Sequence, residues 1–199
     1  MIAGTIGDMQ TVSEMPFVGG DVALDFVNTA EARGEPEAGD ALVTATDLRE
    51  WGVRYGLLAR SAAGDDSELE KARRARELLY GLFVARVHDR PPAKAQLARL
   101  SELAADAYRA ATLETAADGS LRWRWNRSEL ATVRQVAVAS AVELLHAEPV
   151  PRLKQCPGDR CGWFFLDTTK RGNRRWCSMS ECGQQAKNLR RRSGRGGSP

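Results

Sequence analysis

The chain's four cysteines fall close together near its C-terminal end, at Cys156, Cys161, Cys177 and Cys182. Their spacing is C-x4-C, fifteen residues, then C-x4-C. Two thiolate pairs separated by a short excursion suit a tetrahedral metal site. Each pair can sit on a tight turn that aims two sulfurs at one point, and the intervening loop lets the pairs converge. Thiolates favour zinc, and a site filled by four of them is closed, hence structural rather than catalytic. Two disulfides, or four inert buried thiols, are the alternatives. The absence of a secretory signal argues against the first, and the pairing against the second.

The residues between the pairs suggest how the sulfurs are positioned. Trp163-Phe164-Phe165-Leu166 reads as a short strand, residues 167–173 as turn material, and Arg174-Arg175-Trp176 as a returning strand. Ser178 or Ser180 can cap a helix running to about Arg192. Cys182, Ala186 and Leu189 would share one face of it, with Lys187, Arg190 and Arg191 on another. Knuckle, hairpin and helix together make a treble-clef or zinc-ribbon-like plan.

Cys161-Gly162-Trp163-Phe164-Phe165-Leu166-Asp167, Arg174-Arg175-Trp176-Cys177-Ser178-Met179 and Cys182-Gly183 resemble the CGNR zinc-finger family of bacterial proteins. In that family the finger follows a helical ABATE domain of stress-induced transcription regulators. Gly19-Gly20-Asp21-Val22-Ala23-Leu24-Asp25-Phe26-Val27-Asn28-Thr29 is similar to the opening of that domain. The resemblance implies a DNA-binding transcription regulator holding Zn2+. The sequence departs from the family at one point: Gln184-Gln185 stand where the family has Asn-Arg.

Charge is unevenly spread. From Arg152 onward there are twelve basic and three acidic residues, against seventeen and twenty-three before it, within a net charge of +3. A basic tail on a mildly acidic body suits a polyanionic partner, although a solvated basic helix without a partner looks the same. Lys170, Arg171, Arg174, Arg175, Lys187, Arg190, Arg191 and Arg192 are the candidate nucleic-acid contacts, with DNA expected in preference to RNA. No signal peptide and no run of about 20 apolar residues is seen, so a cytoplasmic protein without a membrane partner is expected.

The elements upstream read as mostly helical. Residues 19–28 fit a short strand or helix, and residues 30–42 an exposed loop. Helices are expected over about 46–58, from a Ser67-x-x-Glu70 capping box to before Pro91, over 92–111, and over 128–146. Asp118-Gly119 marks the turn of a hairpin over 111–125. Its Leu121, Trp123 and Trp125 should rest on the bundle, although Arg122 and Arg124 beside the tryptophans could instead stack nucleotide bases.

No phosphate-cradling glycine loop, H-E-x-x-H or G-x-S-x-G is present, and no enzyme is expected. His88 and His146 lie near helix C-termini, where the dipole favours an imidazolium. Asp21 and Asp25 could line a small-molecule pocket or simply cap and brace the chain from within. The expected architecture is therefore mostly α. A helical N-terminal domain with a small β-hairpin (1–150), able to fold alone, precedes a treble-clef or zinc-ribbon-like finger with a basic tail (151–199). A nucleic-acid-binding regulator is the leading function, with an unidentified small-molecule effector and homodimerisation left open. The alternative is a ligand-binding or protein-interaction protein whose zinc module is only structural.

Overall fold

A computed structural model describes residues 11–33, 38–147 and 152–195, with side chains through Arg192. Part of the expected 30–42 loop, the proline link near 149–151 and the Gly-rich end lie outside the described residues. Six helices and two antiparallel hairpins are present among the described residues.

The opening segment forms helix α1 (Val22–Val27), capped by the Asp21 carboxylate, which accepts from the Ala23 N–H at 2.8 Å. Ala23 through Val27 are all buried, which is why apolar periodicity could not separate helix from strand there. Helix α2 (Ala45–Arg54) starts in a true capping box: Thr44 Oγ1 accepts from Asp47 N, and Asp47 Oδ2 accepts from Thr44 N. It stops short of Leu58 because Gly56 takes a left-handed conformation (φ +83°).

Helix α3 (Asp66–Val87) is not started by Ser67 and Glu70 as expected. Asp65 caps it, accepting from the Ser67 and Glu68 amides, and Glu70 pairs with Arg73 instead. An aspartate directly ahead of the helix reaches the free amides first. On the inner side of α3, Arg76 is 4% exposed and donates to both carboxylate oxygens of Asp40, each at 2.7 Å, and to Thr29 Oγ1. Helix α4 (Lys94–Arg109) buries Leu103 and Ala107, while Leu97 is exposed.

Strands β1 (Thr112–Thr115) and β2 (Leu121–Arg124) pair with Leu113 opposite Trp123. Trp123 touches Tyr108, and the Trp125 indole donates to Ala107 O, but Leu121 is 65% exposed. The hairpin is thus tethered through its tryptophan end rather than laid flat on the bundle as expected. Helix α5 (Ala131–His146) lies at the centre and packs against α1, α3 and α4.

The C-terminal part differs most from the expectation. Strand β4 (Phe164–Leu166) pairs not with residues 174–176 but with β3 (Leu153–Gln155), placing the first cysteine pair in the hairpin loop. Residues 174–176 are drawn away from strand pairing by Asp167, whose buried carboxylate accepts from the Arg174 amide at 2.9 Å. A π-helical turn (Met179–Gly183) then leads into α6 (Gln184–Arg195).

The apolar core runs without a break from the helical body into this part. Phe164 and Phe165 are fully buried, and Phe164 packs edge-on against Tyr80 and tilted against Phe83, both of α3. Fully burying one such side chain is worth about 1.5–3 kcal/mol, so the aromatic pair is a sizeable fraction of a domain's net stability. Among the described residues no helix is long and apolar enough to cross a membrane.

Candidate functional site

The four cysteines converge. Their sulfurs all lie within 4.8 Å of one another, with Cys161 to Cys177 and Cys177 to Cys182 each at 3.6 Å, and no disulfide joins them. Zinc–sulfur bonds of about 2.3 Å in a tetrahedron require sulfur separations of about 3.8 Å. The cluster already has that size.

The chain is shaped around it. Cys156 follows β3, and its amide donates to Trp163 O at 2.7 Å, closing the hairpin on the knuckle. Arg160 and Gly162 take left-handed conformations to turn the loop. At Gly158 a side chain would be excluded, since a Cβ there would stand 2.9 Å from the Cys182 sulfur. Cys182 sits in the π turn, where Gly183 N bonds Ser178 O; such widened turns recur at functional sites.

As bare thiols the four frustrate one another. Hydrogen bonds from the Cys161, Cys177 and Cys182 thiols pull Cys156 far below the usual thiol range, while the bond each makes to Cys156 pushes Cys161 and Cys177 far above it. A divalent cation at the centre removes the conflict by stabilising all four thiolates together.

Polar residues around the cluster lock it to the body. The Asn28 side chain donates to Phe164 O at 2.9 Å and accepts from Phe164 N at 2.8 Å, serving β4 as a third strand would. Leu166 N adds a bond to Gly19 O. Asp167 accepts from Lys154 Nζ, from the Thr169 amide and hydroxyl, and from the Arg174 amide. Burial alone would raise its pKa, but these bonds outweigh it and hold the carboxyl well below its ordinary range.

Arg174 was expected on nucleic acid and is instead built into the fold. Its guanidinium donates to Trp176 O, Leu166 O, Val18 O and Cys177 O, and stacks 4.3 Å from the Phe165 ring centre. A phosphate would have to compete with four carbonyls. The other basic candidates, Lys170, Arg171, Arg175, Lys187, Arg190, Arg191 and Arg192, are exposed. Arg175 lies over the Trp176 ring, and Gln184 bonds Asn188 along α6.

Asp21 and Asp25 do not share a pocket: Asp21 borders an open groove beside Trp123, Trp125 and Ser140, and Asp25 does not line it. Asp21 caps α1 and accepts from the Ser140 hydroxyl; Asp25 accepts from the Gly19 amide at 2.7 Å and from the Tyr55 hydroxyl. Burial raises the Asp25 pKa to about 6 despite those bonds.

Residues 20–148 match the family model ABATE, described as "Putative stress-induced transcription regulator". The chain belongs to the ABATE family. Residues 152–195 match the CGNR zinc finger, so the four-cysteine cluster of this ABATE protein is the zinc site of that finger. No curated protein matches the chain. Asn28, in the opening segment of the ABATE region, and Gly19, just ahead of that region, hold β4 of the finger. Asn28 went unread in the sequence; its only signal was a lone amide closing an otherwise apolar run. Asp167 was similarly legible only as an Asp-Thr-Thr turn.

Proposed function

We propose that this ABATE protein is a non-catalytic transcription regulator whose finger binds nucleic acid, DNA in preference to RNA, through α6 and the loop before Cys177. The exposure of α6 carries this reading. The helix leans on little beyond the π turn that precedes it, and Lys187 through Arg192 are all exposed. A twelve-residue polar helix is marginal by itself in water, so its free surface suits docking. Its basic charge selects a polyanion, and its length of about 18 Å fits a DNA major groove about 12 Å wide. Arginine predominates in the set, and its planar fork suits phosphate or a guanine edge.

The test is fluorescence anisotropy of the zinc-loaded chain with random DNA duplex, RNA duplex and single strands across a salt series. If about six side chains neutralise phosphates, log affinity for DNA falls against log salt with a slope near −5. Replacing Lys187 and Arg191 with glutamate should abolish the binding without lowering the melting temperature.

The burial of Phe164 and Phe165 favours one other reading, in which the zinc module only completes the fold and serves a protein partner. Failure to bind any DNA or RNA at low salt, with a partner that survives nuclease treatment, would establish that reading instead.

A further inference from the structure

A second site lies in the body, away from the finger. Helices α3 and α4 both pack on α5 and run antiparallel. They meet near Gly81, where a Cβ would stand 2.7 Å from Gln96 Nε2. From there a groove of about 530 Å³ lies between them. On α3 it is lined by Lys71, Arg74, Ala75 and Leu78, and on α4 by Arg99, Glu102, Leu103 and Asp106. Both sets follow i, i+3, i+4, i+7, the stripe that two packed helices would ordinarily fill with apolar side chains. Here five of the eight residues are charged, and the stripes flank an opening large enough for a small ligand.

The charges in the groove do not balance. Glu68 holds Lys71 at 2.5 Å, Glu102 holds Arg99 at 2.6 Å, and Asp106 holds Arg134 at 3.1 Å. Arg74 is left over: among the described residues no hydrogen bond or ion pair engages it. Arg134 reaches the groove from α5 and is 8% exposed, yet its Nε–H has no hydrogen-bond partner; Glu68 Oε2, 3.9 Å from its Nη2, is likewise without one and meets it only as an ion pair. A buried guanidinium donor without an acceptor is costly in a protein interior. The apolar surface available beside it comes from Ala75, Leu78 and Leu103.

We propose that the α3–α4 groove is a binding site for a small organic monoanion, an apolar body bearing one carboxylate, which Arg74 and Arg134 receive. One unpaired cation matches a single negative charge, and the planar guanidinium matches a carboxylate. The three apolar residues take the body of the ligand. The site is separate from the finger and does not depend on nucleic-acid binding by α6.

The test uses amide NMR of the zinc-loaded full chain titrated with 2-naphthoate, with the neutral 2-naphthamide as control. Saturable shifts should cluster at residues 71–78, 99–106 and 134, and naphthamide should bind at least about tenfold more weakly. Replacing Arg134 risks the fold, so the decisive variant is Arg74→Glu, at an exposed position, which should reduce naphthoate affinity by about tenfold or more. Arg122→Glu, exposed on β2, should leave it unchanged. Scattered or absent shifts, equal binding of the amide, or indifference to Arg74→Glu would each overturn the proposal.

Discussion

Asp25 shows how one buried carboxyl can tune the whole fold. Its pKa rises from an ordinary 3.8 unfolded to about 6 folded, so the native state holds the proton more tightly. Its contribution to stability is therefore greatest below about pH 4, falls between pH 4 and 6, and is flat and unfavourable above. Asn in its place keeps an acceptor for Gly19 N and offers a donor to Tyr55. Denaturant titrations of Asp25→Asn against the parent should diverge as pH rises through that window, with the variant about 2–3 kcal/mol more stable at pH 7.5. Equal pH profiles would show that folding leaves the Asp25 pKa where it lies in the unfolded chain. At the same scale, Arg174 and Arg175 are neighbours with opposite duties. Arg174→Ala should destabilise the finger by about 2–4 kcal/mol and speed zinc loss to a chelator, because four carbonyls lose a charged donor. Arg175→Ala should leave melting unchanged and reduce the salt slope of DNA binding by about one. Nothing in the sequence separates these two arginines. Both lie beside Trp176 in a basic run, and only the place where Asp167 pins the chain decides which turns inward.

Among the elements, β4 was legible as a strand but its partner was not. Aromatic runs announce burial, whereas pairing depends on which segment can present free amides at the right separation. Residues 153–155 do so directly across the knuckle, while residues 174–176 are held in the Asp167 loop. The long helices were readable because periodicity persists over many turns. The start of α3 was misread because a Ser-x-x-Glu pattern and an Asp cap two residues earlier compete for the same amides. β4 touches its one strand partner β3, the Asn28 amide and the α3 aromatics, and this makes it the most sensitive single element. Phe164→Ala should lower global stability by about 3–5 kcal/mol, followed by unfolding monitored through helical circular dichroism. A loss confined to zinc binding, with the helical transition unmoved, would show that the core is divided there.

For the molecule as a whole, the residues around the zinc site and the helical core share one apolar cluster, from which cooperative unfolding is expected. Cysteine spacing in the sequence located the metal, and the change in charge near Arg152 marked where the two family regions meet. Neither signal could show that Phe164 and Phe165 would cross that boundary, because burial depends on the tertiary partner. Continuity of the core across that boundary argues against the expectation that a chain ending near Pro149 folds alone. Such a truncation uncovers the α3 surface around Tyr80 and Phe83 and leaves Asn28 without its strand. It should melt with a broad, weak transition, and chelating zinc from the intact protein should lower the single melting transition rather than remove a separate one. Two resolved transitions in calorimetry would contradict this.

The Asn28 clasp on Phe164 also bears on inheritance and engineering. Many small zinc modules behave as cassettes that can be moved between hosts on a flexible linker. This one cannot be moved so freely. Cut out, it would carry two uncovered phenylalanines and a strand edge into solvent, and its former host would be left with an open hydrophobic socket. A workable exchange would have to carry residues 18–28 along with residues 152–195. The unit of recombination is thus a pair of segments far apart in sequence, and a chimera joined only at the proline link should aggregate.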